Sequence, residues 1–436
     1  MARWREEMHR PAARLAAAIC ALSLLVCFAQ GWRRSGAGMD LPAYVYPAKL
    51  WLAGIDPYDI RAYQASYPRF WGPGATTPNS CSFPPQVLIE MVPLALPPWT
   101  VALRTWWLVS FGALLTAFWL LTRRFAAWGA TETLLLVALL AQSRLVQSVA
   151  FRGQMSLFCL GLVLGALALA DRRRPMLAGL ALALAAAKII LTPPAALYWI
   201  WKRQWAPLAW FAAITTVLHA IPILAIGPAR FMREYAASAR HGLDLEASIV
   251  AGSYHVMNWQ VLYDTLLGRS TGASAAANLL TLLAAGAATV GVAVAWRRRA
   301  SRDAEGWVLA SVTALTLAST YHRVYDGVFL FVVAFAAWNA LRARPGRTPA
   351  LLALAATLFL FLMVLGAQEV SARVSDRLAA TQALASLRPI NAWLALLILL
   401  QTLWVAWRRA SAYSSSNEAP GSSTPPEAAP LPGAAP

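Results

Sequence analysis

The sequence predicts an all-α polytopic membrane protein with about ten to thirteen transmembrane helices, and two observations support this fold class. First, 59% of the 436 residues are hydrophobic and the mean hydropathy is +0.53, which is too apolar for an ordinary soluble domain. Second, several apolar stretches reach the roughly 20 residues that a helix needs to cross the hydrocarbon core. Helices are expected because a helix satisfies its own backbone hydrogen bonds inside lipid.

The net charge of +18 is concentrated in short basic clusters between the apolar stretches. Such clusters mark the cytoplasmic side of a membrane protein. They therefore predict a topology with both termini in the cytoplasm, and they account for the charge without nucleic-acid binding. The main clusters are Arg123-Arg124, Arg172–Arg174, Lys202-Arg203, Arg297–Arg299 and Arg408-Arg409.

With these clusters inside, the apolar stretches follow a consistent path across the membrane. Two of the shorter stretches pass up and down around a polar turn that is expected at residues 142–154. The predicted spans are Arg14–Gly31, Trp99–Leu121, Thr131–Ala141, Ser156–Ala170, Pro207–Ile226, Gly272–Trp296, Glu305–Tyr321, Gly327–Leu341, Pro349–Leu365 and Pro389–Trp407.

Two large outer loops are predicted, at residues 32–98 and 227–271. The first is rich in Pro, Gly, Tyr and Trp, and short amphipathic helices are expected near Pro42–Ala53 and Gln86–Leu96. Residues 1–409 are expected to form one integral-membrane domain. The Ser-, Pro- and Ala-rich residues 410–436 are expected to be a disordered cytoplasmic tail.

The segment between the second and third basic clusters predicts a broken or re-entrant hairpin. Its apolar halves, Met176–Ala187 and Ile190–Trp201, are each too short to span comfortably, and Lys188 lies between them. A charge inside the membrane is costly unless it is paired or wet. Lys188 can extend its stem toward the inner face, contact a lipid-linked phosphate, or pair with a buried carboxylate.

The most informative acidic residue is Asp40, at the start of the first outer loop helix. Because Pro42 follows closely, Asp40 can be a helix cap. The aromatic residues that come next hold it near the membrane boundary, where a carboxylate can act as a general base toward a hydroxyl group. Asp56 and Asp59 are rivals, but their Asp-Pro-Tyr-Asp pattern is typical of a turn.

Three other polar groups are predicted on the outer side. Arg152 and Gln154 lie at the end of one helix pair, and a guanidinium group fits phosphate oxygens, although Arg152 can equally face lipid headgroups. The run Tyr321–Asp326 is either a tight turn or part of a cavity wall. In the cavity interpretation, His322 and Arg323 bind phosphate or sugar hydroxyls and Asp326 orients them. In the second outer loop, Asn258 lies beside His255 and Trp259 in a set suited to sugar contacts or to interfacial anchoring.

No metal-ligand spacing, phosphate-binding Gly loop or nucleophile triad is present in the sequence. The four cysteines also lack a paired spacing. We therefore expect neither a metal nor a cofactor.

Several motifs, taken in order, resemble glycosyltransferase family 87. In the first outer loop they are Asp40, Tyr44, Ala48 and the run Gly54–Asp59, and Phe83-Pro84-Pro85 follows. Further along, Gly153-Gln154-Met155-Ser156 is similar to a Gly-Gln-hydrophobic-Asn motif, with Ser156 in the usual place of Asn. The last blocks are Arg173–Pro193, which includes Lys188, and Tyr325-Asp326.

The resemblance implies a GT-C fold and an inverting transfer from a polyprenyl-phosphate-linked sugar, with mannose favoured. Asp40 matches the acidic residue that acts as base in such enzymes, and the acceptor would be a glycolipid or another glycan. The setting would be a bacterial-type inner membrane with the site on its outer face. A transporter or flippase for lipid-linked sugars or solutes is the competing class, since a broken helix and an intramembrane Lys are also typical of transporters. A non-catalytic subunit of a cell-envelope complex is a third alternative.

Overall fold

The fold was analysed in a computed structural model of the chain. The structure describes residues 10–34, 40–71, 80–125, 129–250, 256–267, 271–297, 301–320, 323–342, 349–365, 373–374, 377, 387 and 389–417. These residues form helices, turns and connections. Within these ranges the only pairing of extended backbone is one isolated antiparallel bridge between Val256 and Arg323. The predicted all-α fold is therefore confirmed.

The first half of the chain contains one long helix, a set of short helices and then a second long helix. Their order alternates apolar segments with the outer connections predicted above. The helices are α1 (Pro11–Arg34), α2 (Leu41–Leu52), α3 (Ile60–Trp71), α4 (Gln86–Glu90), α5 (Val92–Ala95), α6 (Trp99–Phe125), α7 (Ala130–Ala141), α8 (Arg144–Arg152), α9 (Ser156–Asp171) and α10 (Pro175–Ala185).

The second half is built from longer helices, and two short 3₁₀ segments, Ala186–Leu191 and Val324–Leu330, interrupt it. A π-helical turn, Leu360–Leu365, continues α18. The helices are α11 (Pro193–Lys202), α12 (Trp205–Ile226), α13 (Pro228–Val250), α14 (Gln260–Leu266), α15 (Thr271–Arg297), α16 (Arg302–Ser319), α17 (Phe331–Arg342), α18 (Pro349–Phe359) and α19 (Ile390–Asn417).

Within the described ranges, six helical segments are long and apolar enough to cross a membrane. Two bent helix pairs raise this number to eight if each pair is one span. This is fewer than the ten to thirteen membrane helices predicted, and two shorter apolar helices account for part of the difference. Those two are Ser156–Asp171 and Pro349–Val364.

The core is a helical bundle in which α9 packs against α6 and α10, and α16 packs against α15, α17 and α19. Close approach of α6 and α9 depends on Gly161, where an added Cβ would lie 2.9 Å from the Ala113 side chain. Small residues allow such contacts in membrane helices, where close packing rather than water exclusion drives association. Helices α6, α9 and α16 run along this bundle, so their two ends lie at opposite ends of it.

The prediction of a polar turn at residues 142–154 is wrong. Its central part is the helix α8, which begins after the Ser143 side chain accepts a hydrogen bond from the Val146 amide at 3.4 Å. Helix α8 forms because Leu145, Val146 and Val149 share one buried face while its polar residues face away. Helices α7 and α8 meet at a bend of 45°.

The predicted broken hairpin is confirmed. Helices α10 and α11 meet at an angle of 117°, and Lys188 has non-helical backbone angles (φ −121°, ψ 72°) within the 3₁₀ segment between them. The second outer loop contains the 23-residue helix α13. Helix α19 runs to Asn417, past residue 410, where the disordered tail was expected to begin. Residues 418–436 of that tail lie outside the described residues.

Candidate active site

Asp40 occupies the N-cap position of α2, but its side chain makes no capping hydrogen bond. Its backbone amide instead donates to the carbonyl oxygen of Arg152 at 2.8 Å. This bond ties the start of α2 to the end of α8, and it leaves the carboxylate available for other partners. The side chain is 24% exposed.

The Asp40 carboxylate is held by residues on either side of Gly153. Gln154 Nε2 donates to Asp40 Oδ2 at 2.5 Å, and Arg152 Nη1 lies 3.5 Å from the same oxygen. Both partners reach Asp40 because Gly153 turns the chain with a left-handed backbone (φ 69°) that favours glycine. The indole Nε1 of Trp106 on α6 donates to the Gly153 carbonyl oxygen at 3.0 Å and anchors this turn to the bundle.

Tyr44 extends this network one turn further along α2. Its hydroxyl donates to Gln154 Oε1 at 2.8 Å, so the Gln154 amide group is fixed on both sides. Burial raises the pKa of Tyr44 well above its ordinary value, and the negative charges of Asp40 and Asp326 raise it further. Tyr44 is therefore a permanent donor at neutral pH. Its ring packs on Phe83 with centroids 4.5 Å apart, which gives the predicted Phe-Pro-Pro motif a place in the site.

A second charged centre lies deeper and is built on Asp326, whose side chain is 1% exposed. Lys188 Nζ forms an ion pair with Asp326 Oδ1, and Ser156 Oγ donates to the same oxygen at 2.5 Å. Lys188 Nζ also lies 3.3 Å from Ser156 Oγ and 4.6 Å from the centre of the Tyr325 ring. Of the three alternatives for Lys188, the structure contains the pair with a buried carboxylate.

The two centres belong to one site. Gln154 bonds to Asp40, and Ser156, two residues further along the chain, bonds to Asp326, so this short segment joins the two carboxylates. Arg323 is tied to the same segment as Asp326, whose backbone amide donates to the Arg323 carbonyl oxygen at 2.9 Å. The sequence-predicted residues that the structure brings together are Asp40, Tyr44, Arg152, Gln154, Lys188, Arg323 and Asp326.

Asn258 lies on the segment that carries the isolated bridge to Arg323. Two backbone contacts fix this segment, the Val256–Arg323 bridge and the Trp259 amide donating to the Ala318 carbonyl oxygen at 2.9 Å. The Asn258 side chain is buried, and its Oδ1 has no hydrogen-bond partner among the described residues. The predicted contacts of His322 and His255 fall outside the described residues.

The rival carboxylates have structural roles, which confirms the turn prediction. Asp56 Oδ1 accepts from the Tyr58 amide at 3.0 Å, while its other oxygen lies 2.9 Å from Arg230 Nε. Asp59 Oδ1 accepts from the Arg61 and Ala62 amides at 3.0 and 3.1 Å and so caps α3. Both carboxylates thereby organise the first outer loop.

Sequence reasoning missed one acidic residue near the site, Glu90. Gln86 Nε2 donates to Glu90 Oε1 at 2.8 Å and to the Ala183 carbonyl oxygen on α10 at 2.9 Å. Burial raises the pKa of Glu90 to about 8, although the bond from Gln86 opposes this shift. A signal was present, since Glu90 is the only acidic residue in the apolar stretch from Phe83 to Pro98.

The architecture and this site define an integral membrane protein with a carboxylate centre at one end of its helical bundle. A family model of glycosyltransferase family 87 matches residues 82–320, more than half of the chain. The protein therefore belongs to glycosyltransferase family 87 and is a membrane glycosyltransferase, with a sugar donor and an acceptor as its substrates. No curated protein and no solved structure matches the chain. Gln154, Lys188 and Glu90 lie inside the matched region, whereas Asp40 and Asp326 lie outside it.

Proposed function

We propose that the protein transfers a hexose, with mannose favoured, from a polyprenyl-phosphate donor to a hydroxyl group of a glycolipid or other glycan. Asp40 is the general base of this proposal. The observation that carries it is the partly exposed Asp40 carboxylate, oriented by Gln154 at 2.5 Å rather than consumed by a helix cap. Orientation of a base by a fixed partner is what efficient proton transfer requires.

In the proposed reaction, Asp40 takes the proton of the acceptor hydroxyl. The acceptor oxygen forms a bond to the anomeric carbon as the bond from that carbon to the phosphate oxygen breaks. The electron pair leaves with polyprenyl phosphate, the configuration inverts, and protonated Asp40 returns its proton to solvent. No cofactor is needed, because the bond between sugar and phosphate supplies the free energy.

The leaving phosphate develops negative charge, and we assign Arg152 and Arg323 to stabilise it. A guanidinium group presents its N–H donors in a planar fork that fits phosphate oxygens. Lys188 forms an ion pair with Asp326, so we assign it a structural role in the site rather than direct phosphate binding. Asn258, whose Oδ1 has no hydrogen-bond partner among the described residues, is assigned to a substrate hydroxyl.

We place this site on the outer face of a bacterial-type inner membrane, with both termini cytoplasmic and residues 1–409 as the catalytic domain. Support comes from α9, which begins at the site with Ser156 and ends beside the basic cluster Arg172–Arg174. Basic clusters face the cytoplasm in membrane proteins. The opposite end of the same helix is then outside.

The test is transfer of labelled sugar from polyprenyl-phosphate mannose by purified protein in lipid vesicles. Asp40→Asn should lower the rate about 10²–10⁴-fold, the range for removal of a general base. Asp59→Asn is the matched control, because Asn caps a helix as well as Asp does and the rate should not change.

Full activity of folded Asp40→Asn protein would remove Asp40 as base. If vesicles translocate the labelled lipid without forming a glycosylated product, the transporter alternative replaces the transfer that we propose.

A further inference from the structure

The end of the bundle opposite Asp40 contains a second polar region. On α6, seventeen residues separate Trp106, which contacts the site, from Arg123, a distance of about 26 Å at 1.5 Å per residue. A cavity of about 250 Å³ opens at this far end. The charged side chains that line it are Arg123, Arg124, Asp171, Arg172 and Glu305.

These five groups are not evenly paired. Arg124 lies 3.0 Å from Asp171 and 3.5 Å from Glu305, and Glu305 is also paired with Lys202. Arg123 and Arg172 have no carboxylate partner within the described part of the chain. The two carboxylates of the lining are thus engaged by Arg124 and Lys202, and they do not balance the positive charges of Arg123 and Arg172.

The two arginines without a carboxylate partner share an aromatic neighbour. The guanidinium carbons of Arg123 and Arg172 lie 4.4 and 6.0 Å from the centre of the Trp119 ring. Trp119 is 46% exposed on the outer surface of the bundle. Tryptophan is enriched at the boundary between hydrocarbon and headgroups, so the two charges are expected at headgroup level.

The remaining wall of the cavity is apolar and consists of Leu120, Leu164 and Ala168. Leu120 and Leu164 lie toward the middle of α6 and α9 from the charged ends of these helices. The cavity therefore combines two arginines that lack a carboxylate partner with an apolar inner wall, and it lies beside the exposed Trp119. This combination fits an amphipathic anion better than a free ion.

We propose that this cavity binds the headgroup of an anionic phospholipid, with the phosphodiester between Arg123 and Arg172. Guanidinium groups bind phosphate oxygens through paired, charge-assisted hydrogen bonds. Basic pockets between membrane helices on the cytoplasmic side suit acidic headgroups. The uncompensated positive charges of Arg123 and Arg172 suit a phosphodiester, which carries one negative charge, and the site is independent of the donor site at Asp40.

The test uses the full-length protein, stripped of lipid in detergent and titrated with phosphatidylglycerol. Native mass spectrometry counts bound lipid, and the melting temperature reports stabilisation. The double variant Arg123→Gln/Arg172→Gln should lose at least about tenfold in apparent affinity, since hydrogen bonds to charged groups are among the stronger ones. Phosphatidylcholine should not stabilise the wild type.

Two further variants sharpen the result. Arg297→Gln/Arg408→Gln is the matched control, because it removes the same number of charges from the same end of the molecule but spares the cavity. It also matches the aromatic contact, since Arg408 lies 4.6 Å from an exposed tryptophan ring. This variant should bind the lipid like the wild type. Ala168→Phe keeps every charge but fills the cavity, and it should lose binding even if the arginine variant does not fold.

The proposal is overturned by any of three results. One is unchanged binding in the Ala168→Phe protein or in a folded Arg123→Gln/Arg172→Gln protein. Another is an equal loss of lipid binding in the Arg297→Gln/Arg408→Gln control, which would indicate general charge attraction. The third is equal stabilisation by inorganic phosphate at the same concentration, which would indicate an ion site without a lipid.

Discussion

The two aspartates of the site differ in almost every physical respect. Asp40 is 24% exposed and is held by the neutral amide of Gln154 and a longer contact to Arg152. Asp326 is 1% exposed and is paired with Lys188 and Ser156. A buried ion pair engages both of its members, whereas an oriented, partly exposed carboxylate stays accessible to other groups. Residue type alone does not distinguish the two, but their surroundings do.

The largest effect is expected from breaking the buried pair. Asp326→Ala leaves the Lys188 ammonium without its partner, and the free energy of unfolding should fall by about 3–5 kcal/mol. Asp40→Asn should change it by less than about 0.5 kcal/mol, because Asp40 is partly exposed. Denaturant titration in detergent micelles measures both.

A double variant provides the control for that measurement. Lys188→Met/Asp326→Leu removes both charges together and should recover most of the lost stability, since apolar replacement of a whole buried pair is often neutral. Equal destabilisation by Asp40→Asn and Asp326→Ala would contradict the proposal that Asp326 stabilises the fold while Asp40 does not.

The second largest effect concerns how Asp40 is oriented. Gln154→Leu removes the 2.5 Å bond to Asp40 and the bond from Tyr44, so the carboxylate loses its fixed direction. The transfer rate should fall roughly ten- to hundredfold, equivalent to about 1.4–2.7 kcal/mol. Gln147→Leu, on the neighbouring helix α8, is the matched control and should retain the wild-type rate. A Gln154→Leu protein with unchanged kcat would show that Asp40 needs no orienting partner.

A smaller effect is expected from the tyrosine pair on α2. The Tyr44 hydroxyl donates to Gln154 Oε1 at 2.8 Å, and the Tyr46 hydroxyl donates to the Tyr63 carbonyl oxygen at 2.7 Å. Tyr44→Phe and Tyr46→Phe should each lose about 1 kcal/mol of stability, the usual contribution of one hydrogen bond. Only Tyr44→Phe should also slow transfer, roughly fivefold. Equal transfer rates in the two variants would show that the Tyr44 hydroxyl does not contribute to transfer.

A separate comparison, by pH dependence, concerns Glu90, a third carboxyl group that is buried with an amide partner instead of a cation. Its pKa of about 8 exceeds the ordinary value of 4.5, so the folded protein holds a proton that the unfolded chain releases. The stabilisation from this proton is therefore complete below about pH 4.5 and is lost as the pH rises to about 8. Glu90→Gln cannot ionise, so its melting temperature should fall less than that of the wild type across this range.

Glu234→Gln, on α13, is the control for that pH series and should follow the wild-type curve. Parallel curves for the wild type and Glu90→Gln would mean that Glu90 is ionised in the folded protein at neutral pH.

Several elements of the fold and site were predictable because their causes are local in the chain. Apolar runs and basic clusters are continuous segments, so they predicted the helices and the break at Lys188. The Asp-Pro-Tyr-Asp run predicted a turn because the side chains of Asp56 and Asp59 bond to amides two or three residues away. Helix α8 was missed because a nine-residue amphipathic helix with polar residues is hard to distinguish from a polar turn.

The sequence by itself therefore determined the membrane-spanning class and the position of the hairpin, and it is the source of the proposal that Asp40 is the base. Only the tertiary structure decided which carboxylate each polar side chain contacts. Gln154 bonds to Asp40 across 114 residues of chain, and Lys188 pairs with Asp326 across 138. Such pairings depend on how α2, α8 and the hairpin pack against the bundle. Local chemistry fixes what a segment can form, while burial and packing fix which distant partner it meets.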